Sequence, residues 1–301
     1  MSKNLTNWLL FTVLSFIWGS SFILMKFGLE KLSAYQVAAL RIVSSGLVLL
    51  PIAIKCLRQL PSNKLVTIFM SGLLGSLLPA FLFCLAEVGI SSALAGTLNA
   101  LTPIFVISIG ILFYKAHISA NKVWGIIIAF VGCILLLLSK GVGDNQNLLY
   151  ILFVIVATIC YGINVNMVSR QLNDVPSLQI AAVALGLNAI PALVVLVATG
   201  FFSLPLGNAE MLQAIGAASV LGIFGTALAS VLFYRLMKSA GPVFSSMVTY
   251  GIPVVAIIWG VVYKEAVGWK QVACLVLILS GVFVANMEMI VSAAKSRMAK
   301  I

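Results

Sequence analysis

Gly72-Leu73-Leu74-Gly75-Ser76-Leu77-Leu78-Pro79-Ala80-Phe81-Leu82-Phe83 is the stretch on which the reading of this chain turns, because it occurs twice. Gly72, Gly75, Ser76, Ala80 and Phe83 return 150 residues later as Gly222, Gly225, Thr226, Ser230 and Phe233. Asn99 and Pro103 meet Thr249 and Pro253 at the same offset, Gly132 meets Gly281 at 149, and Trp18-Gly19 meets Tyr161-Gly162 at 143. Loop-length differences account for the drift. One such match between apolar segments is within reach of chance, but an ordered series through most of the chain is not. The sequence reads as a duplicated unit, and internal repeats in a membrane chain point towards transport.

The membrane assignment rests on composition. Of 301 residues, 62% are hydrophobic and 8% charged, with mean hydropathy +1.18. A water-soluble domain carries about 25% charged residues. A span needs roughly 20 mostly apolar residues. The apolar runs fall at 8–27, 34–54, 65–86, 92–113, 122–139, 148–168, 177–198, 211–233, 243–263 and 268–290. The expected fold is therefore an all-α integral membrane protein of ten spans, built as two repeats of five, residues 1–143 and 144–301. Pro51 and Pro191 make spans 2 and 7 the least regular.

The net charge of +11 does not indicate a nucleic-acid partner, because the basic residues segregate by side. Lys3, Lys55, Arg58, Lys64, Lys115, Lys122, Arg170, Arg235, Lys238, Lys295, Arg297 and Lys300 fall on one side; Lys26, Lys31, Lys140, Lys264 and Lys270 fall on the other. The positive-inside rule then places both termini in the cytoplasm; the expected location is the cell inner membrane. Five spans is an odd number, so the second repeat enters from the opposite face. The halves are expected as inverted copies that exchange conformations, the basis of alternating access. Since they already supply a two-fold arrangement, a monomer in the bilayer is the expectation. The first run, Trp8 to Met25, is longer than a signal-peptide core and lacks a small-x-small cleavage site, so it reads as a retained span. The cysteines occur singly, with neither metal spacing nor a disulfide framework.

Several residues are candidates to line a cavity. Trp18 is in mid-span rather than at an interface, beside Gly19, Ser20 and Ser21. Span 6 offers Tyr161, Asn164 and Asn166; Asn164 needs a partner or water in apolar surroundings. Arg41 lies about two turns inside span 2, where a charge costs at least ~2.5–3.5 kcal/mol. It either snorkels outward, pairs with Glu30 or Glu87, or serves as a cavity cation for a substrate carboxylate. Span 7 carries Asn188. Pro103 and Pro253 remove the N–H groups that would bond the carbonyls of Asn99 and Thr249, so a freed carbonyl meets a polar side chain at equivalent places in both halves. Thr102 and Tyr250 lie nearby. Interrupted spans at corresponding positions are a pointer to a binding site in transporters. The small residues repeating every fourth position in spans 3 and 8 read first as close helix packing.

The Trp18-Gly19-Ser20-Ser21-Phe22 run, the ten spans in two halves and the prolines in spans 4 and 9 together resemble the EamA family of the drug/metabolite transporter superfamily, across essentially the whole chain. The resemblance implies a cavity lined mainly by spans 1–4 and 6–9, spans 5 and 10 packed at the interface of the halves, and export of amino acids or related metabolites. The family's acidic residue at the ends of spans 4 and 9 is matched by Glu265 in the second half but by Ala116 in the first.

Enzyme signatures do not assemble. Gly141-Val142-Gly143-Asp144 spells an intramembrane aspartyl protease motif, but Asp144 sits in a polar loop, across the membrane from Asp174. No span holds a histidine to activate a serine, His117 lying in a loop. There is no P-loop or metal cluster, so no cofactor is expected. The absence of a mid-membrane carboxylate argues against a lipophilic-cation pump and for facilitated or weakly coupled transport. Efflux of drugs or lipid-linked metabolites and a non-transporting scaffold are the alternatives.

Overall fold

The computed structural model describes residues 3–114, 120–139, 145–264 and 268–298. Ala116, His117, Asp144 and Glu265, singled out above, lie outside the described residues. Among the described residues the fold is all-helical, with 89% of them in helix. Eight helices are long and apolar enough to cross a membrane. They are α1 (Lys3–Leu29), α2 (Ala34–Leu57), α3 (Ser62–Glu87), α4 (Ser92–Tyr114), α6 (Asn145–Gln171), α7 (Ser177–Ala198), α8 (Ala209–Ala240) and α9 (Pro242–Val262). Between and after them run α5 (Ala120–Ser139) and α10 (Trp269–Met298), whose apolar stretches are shorter. Every apolar run read from the sequence coincides with a helix.

The helix starts follow from local chemistry. Ser33 caps α2 in a capping box: its hydroxyl accepts from the Gln36 N–H, and the Gln36 Oε1 accepts from the Ser33 N–H. Ser91 caps α4 through the Leu94 N–H. The sharp entry into α9 uses Gly241, at φ +86° and ψ 165°, a conformation open essentially only to glycine, followed by Pro242 in the first turn. Pro51 and Pro191 sit inside continuous helices, as membrane helices tolerate.

α2 packs on α7, and α5 on α10. α1 lies against α8 and α9; α6 lies against α3 and α4. α2 also meets α8, and α7 meets α3. Small residues permit these contacts. A Cβ on Gly72 would run into Asn188 and the Ala184 carbonyl of α7, and one on Gly222 into Ser44 and the Arg41 carbonyl of α2. The duplicated stretches thus serve as close-packing surfaces. Outward-facing side chains are apolar: Val66, Leu112, Phe113, Ile190 and Val194 are all exposed.

Within α3 and α8 the backbone departs from α-helix at the duplicated stretch. Leu73–Leu77 and Leu221–Leu228 are π-helical. Such segments insert an extra residue per turn and are frequent at functional sites. The sequence reading did not anticipate them.

Candidate functional site

The two π-helical segments face one cavity. It contains about 840 Å³ of space, its open mouth included, and draws its lining from α1, α2, α3, α4, α6, α8 and α9. Gly75 and Ser76 come from the first π segment, and Gly225 and Thr226 from the second. Among the sequence candidates, Trp18, Ser21, Arg41, Asn99, Tyr161 and Asn164 are brought together in this lining.

Trp18 is fixed by its indole, which donates Nε1–H to the Gly225 carbonyl at 2.9 Å. That carbonyl belongs to the π segment, so the bond ties α1 to α8 at the cavity wall. The Trp18 ring rests on Phe233 at 5.2 Å between centroids. Phe22 meets Phe83 edge-on at 5.6 Å, and Phe83 stacks on Tyr161 at 6.1 Å. These rings make an aromatic wall. Ser21 turns its hydroxyl back to the Ile17 carbonyl, and its oxygen lies 2.9 Å from where a Cβ on Gly225 would stand.

Arg41 is buried, at 8% exposure, so it does not snorkel. Its Nε donates to Thr226 Oγ1 at 2.7 Å and its Nη1 lies 3.9 Å from Met25 Sδ. Among the described residues it forms no ion pair with Glu30 or Glu87. Those acids border a separate recess with Lys26 and Ser33. Lys31 pairs with Glu210 nearby, and the hydrogen bond to that carboxylate holds its ammonium above the usual lysine range. The sequence reading had treated Thr226 only as a packing residue. Its match to Ser76 at the 150-residue offset was the available signal, since both positions keep a hydroxyl on a π segment.

Asn99 and Thr249 both line the cavity, while their paired prolines, Pro103 and Pro253, do not. The Asn99 carbonyl is not left free. Leu98 leads into a 3-10 turn, Asn99–Leu101, and the Thr102 N–H donates to the Asn99 carbonyl in place of the missing proline donor. The Asn99 side-chain oxygen accepts from the Thr102 hydroxyl at 3.3 Å. Proline therefore acts by breaking α4 into an α, 3-10, α sequence that turns Asn99 inward. Asn164, 4% exposed, presents a buried Oδ1 with no partner among the described residues.

Asn188 stands elsewhere. Its amide donates to the Phe69 carbonyl at 3.1 Å and the Ala184 carbonyl at 2.8 Å, joining α7 to α3. The lining expected from span 7 is absent because this face of α7 is packed against Gly72. Asn166 likewise joins α6 to α4 through the Val106 carbonyl at 2.9 Å. Tyr250 packs beside the main core rather than in the lining.

The sequence model of the EamA-like transporter family matches residues 6–138 and again 148–287. An uncharacterized transporter of Archaeoglobus fulgidus is 26% identical over 282 residues, covering 92% of this chain and 98% of that protein. The uncharacterized transporter YdfC of Bacillus subtilis is 32% identical over 129 residues, 42% of each chain. A solved structure, described only as the crystal structure of a protein, superposes with TM-score 0.65 at 18% identity, over 93% of this chain and 96% of that one. It is similar in fold.

Proposed function

The chain belongs to the EamA-like transporter family, a family of multi-pass membrane proteins, and from that premise we propose that it is a secondary transporter exporting amino acids or related small metabolites across the cell inner membrane. Transport proceeds by alternating access of two inverted five-span repeats, α1–α5 and α6–α10, with both termini cytoplasmic and the monomer as the working unit. One observation carries this reading: the duplicated stretch becomes a π-helical wall of the same cavity from both halves. The family match to each half separately supports it. So do the contacts, which come in matched pairs. α1 on α8 and α9 answers α6 on α3 and α4, and α2 on α8 answers α7 on α3. Two copies inserted with opposite orientation produce this pattern, and a motion that opens one set of contacts closes the other.

The cavity suits small metabolites in being largely apolar with a few inward polar groups, the usual character of a small-molecule site. Asn99, Thr102, Asn164 and Thr249 supply neutral donors and acceptors, and the aromatic wall supplies contact area.

Counterflow of labelled amino acids into proteoliposomes tests the reading, with Trp18→Ala and Asn99→Ala beside the unaltered protein. Uptake that is lost in both variants while each still elutes as a folded species is the expected result. Uptake of no compound in a panel spanning the amino acids and their metabolic relatives refutes it.

A further inference from the structure

Resting on the transport reading above, the structure narrows the substrate by charge. Among the described residues, Arg41 is the only charged one in the cavity lining. A guanidinium has five N–H donors. Here one goes to a threonine hydroxyl and one to a thioether, a weak acceptor. Among the described residues no carboxylate answers the charge: no aspartate or glutamate is in the lining, and Glu30 and Glu87 border the other recess, where Lys26 also sits. The opposite half does not balance it either. At the 143-residue offset that pairs Trp18 with Tyr161, the counterpart of Arg41 is Ala184, which packs against Gly72.

We propose that, within the class of amino acids and related metabolites, the preferred substrate is the related organic monoanion rather than the amino acid itself: a carboxylate held by Arg41 on an apolar or aromatic body, with no ammonium group. A zwitterion would bring an ammonium into a cavity that holds a cation and no acid, leaving the loaded site as positively charged as the empty one. A monoanion neutralises it. Guanidinium and carboxylate are matched in shape and pair through two parallel N–H···O bonds. The rings of Phe22, Phe83, Tyr161, Trp18 and Phe233 fit the body. The unpartnered Asn164 Oδ1 offers a neutral acceptor, enough for a substrate hydroxyl without requiring a cation.

Phenyllactate and phenylalanine provide the test, since they differ in a hydroxyl in place of the ammonium group. Labelled uptake of both is measured in proteoliposomes holding the full chain, at several K⁺ diffusion potentials, for the unaltered protein, Arg41→Lys and Arg41→Gln. Phenyllactate is expected to enter with at least tenfold higher kcat/KM than phenylalanine and faster under an inside-positive potential. Arg41→Gln should erase the preference and Arg41→Lys keep part of it. The comparison within the unaltered protein stands even if a variant misfolds. Equal or better uptake of phenylalanine, or a preference that survives Arg41→Gln, overturns the charge assignment. Uptake of other amino acids without phenyllactate overturns it while leaving the transport reading intact, and uptake of nothing in the wider panel overturns both.

Discussion

Replacing Gly222 by alanine should loosen the contact on which the cavity is built. A Cβ at this position falls within 3.0 Å of both the Ser44 hydroxyl and the Arg41 carbonyl oxygen. The hydroxyl can rotate away, but the carbonyl belongs to the backbone of α2 and cannot. α2 and α8 must then separate by some tenths of an ångström. Overpacking of this kind costs about 1–3 kcal/mol. The substitution recovers about 1 kcal/mol of helix propensity, which leaves a net loss of roughly 0–2 kcal/mol by those two magnitudes. At about 2–4 °C per kcal/mol this lowers the unfolding midpoint by up to about 8 °C. Gly216 provides the internal control, because it lies in the same helix and a Cβ there meets nothing within 4 Å. Thermal unfolding in detergent, followed by loss of the monodisperse elution peak, compares Gly222→Ala with Gly216→Ala. Gly216→Ala should match or exceed the unaltered protein. Equal midpoints for the two variants would refute the packing argument, since propensity alone treats them alike.

Asn188→Leu removes one interhelical and one intrahelical amide bond, and loss of the interhelical one should cost about 0.6 kcal/mol, the average for such bonds in membranes, and at most about 1.7, while leaving substrate KM unchanged; a large KM effect without destabilisation would show that Asn188 contacts substrate. Gly241→Ala forces a side chain into φ +86° and should cost about 1–3 kcal/mol in the same unfolding assay. Lys64 hydrogen-bonds Asp174 at 2.9 Å and holds its carboxyl below the usual range. A depressed folded pKa contributes stability above the unfolded value and loses it as pH falls through the folded one, so the midpoint difference between the unaltered protein and Asp174→Asn should be present at neutral pH and vanish in the acid range below 3.8; a difference that persists there would place its cause outside this pair.

The helices were legible in the sequence because apolar length is a strong signal: the run at 92–113 reappears as Ser92–Tyr114, and that at 177–198 as Ser177–Ala198. Trp18, Arg41, Asn99 and Asn164 could be picked out as polar or aromatic groups that a span must account for, and the cavity gathers them. Asn188 lies outside that lining, since a polar side chain in a span is equally well served by a neighbouring helix carbonyl. Hydropathy does not encode which face a helix turns inward, and so cannot separate the two cases. The π segments were hidden for a related reason. Gly72, Ser76 and Ala80 read as close packing, which Gly72 does provide against Ala184, but an extra residue in a helical turn leaves no trace in composition. The effect of Pro103 was misread in detail, because Thr102 supplies the donor that the proline lacks.

The most direct test of the central claim is whether the cavity opens to each face of the membrane in turn. A cysteine replacing Ser230, a partly buried lining residue on α8, in a chain otherwise free of cysteine, can be challenged with a membrane-impermeant thiol reagent in right-side-out and inside-out vesicles. Labelling from both faces, each slowed by transported substrate, is the predicted result. Labelling from one face only, under every substrate and potential tried, would contradict alternating access.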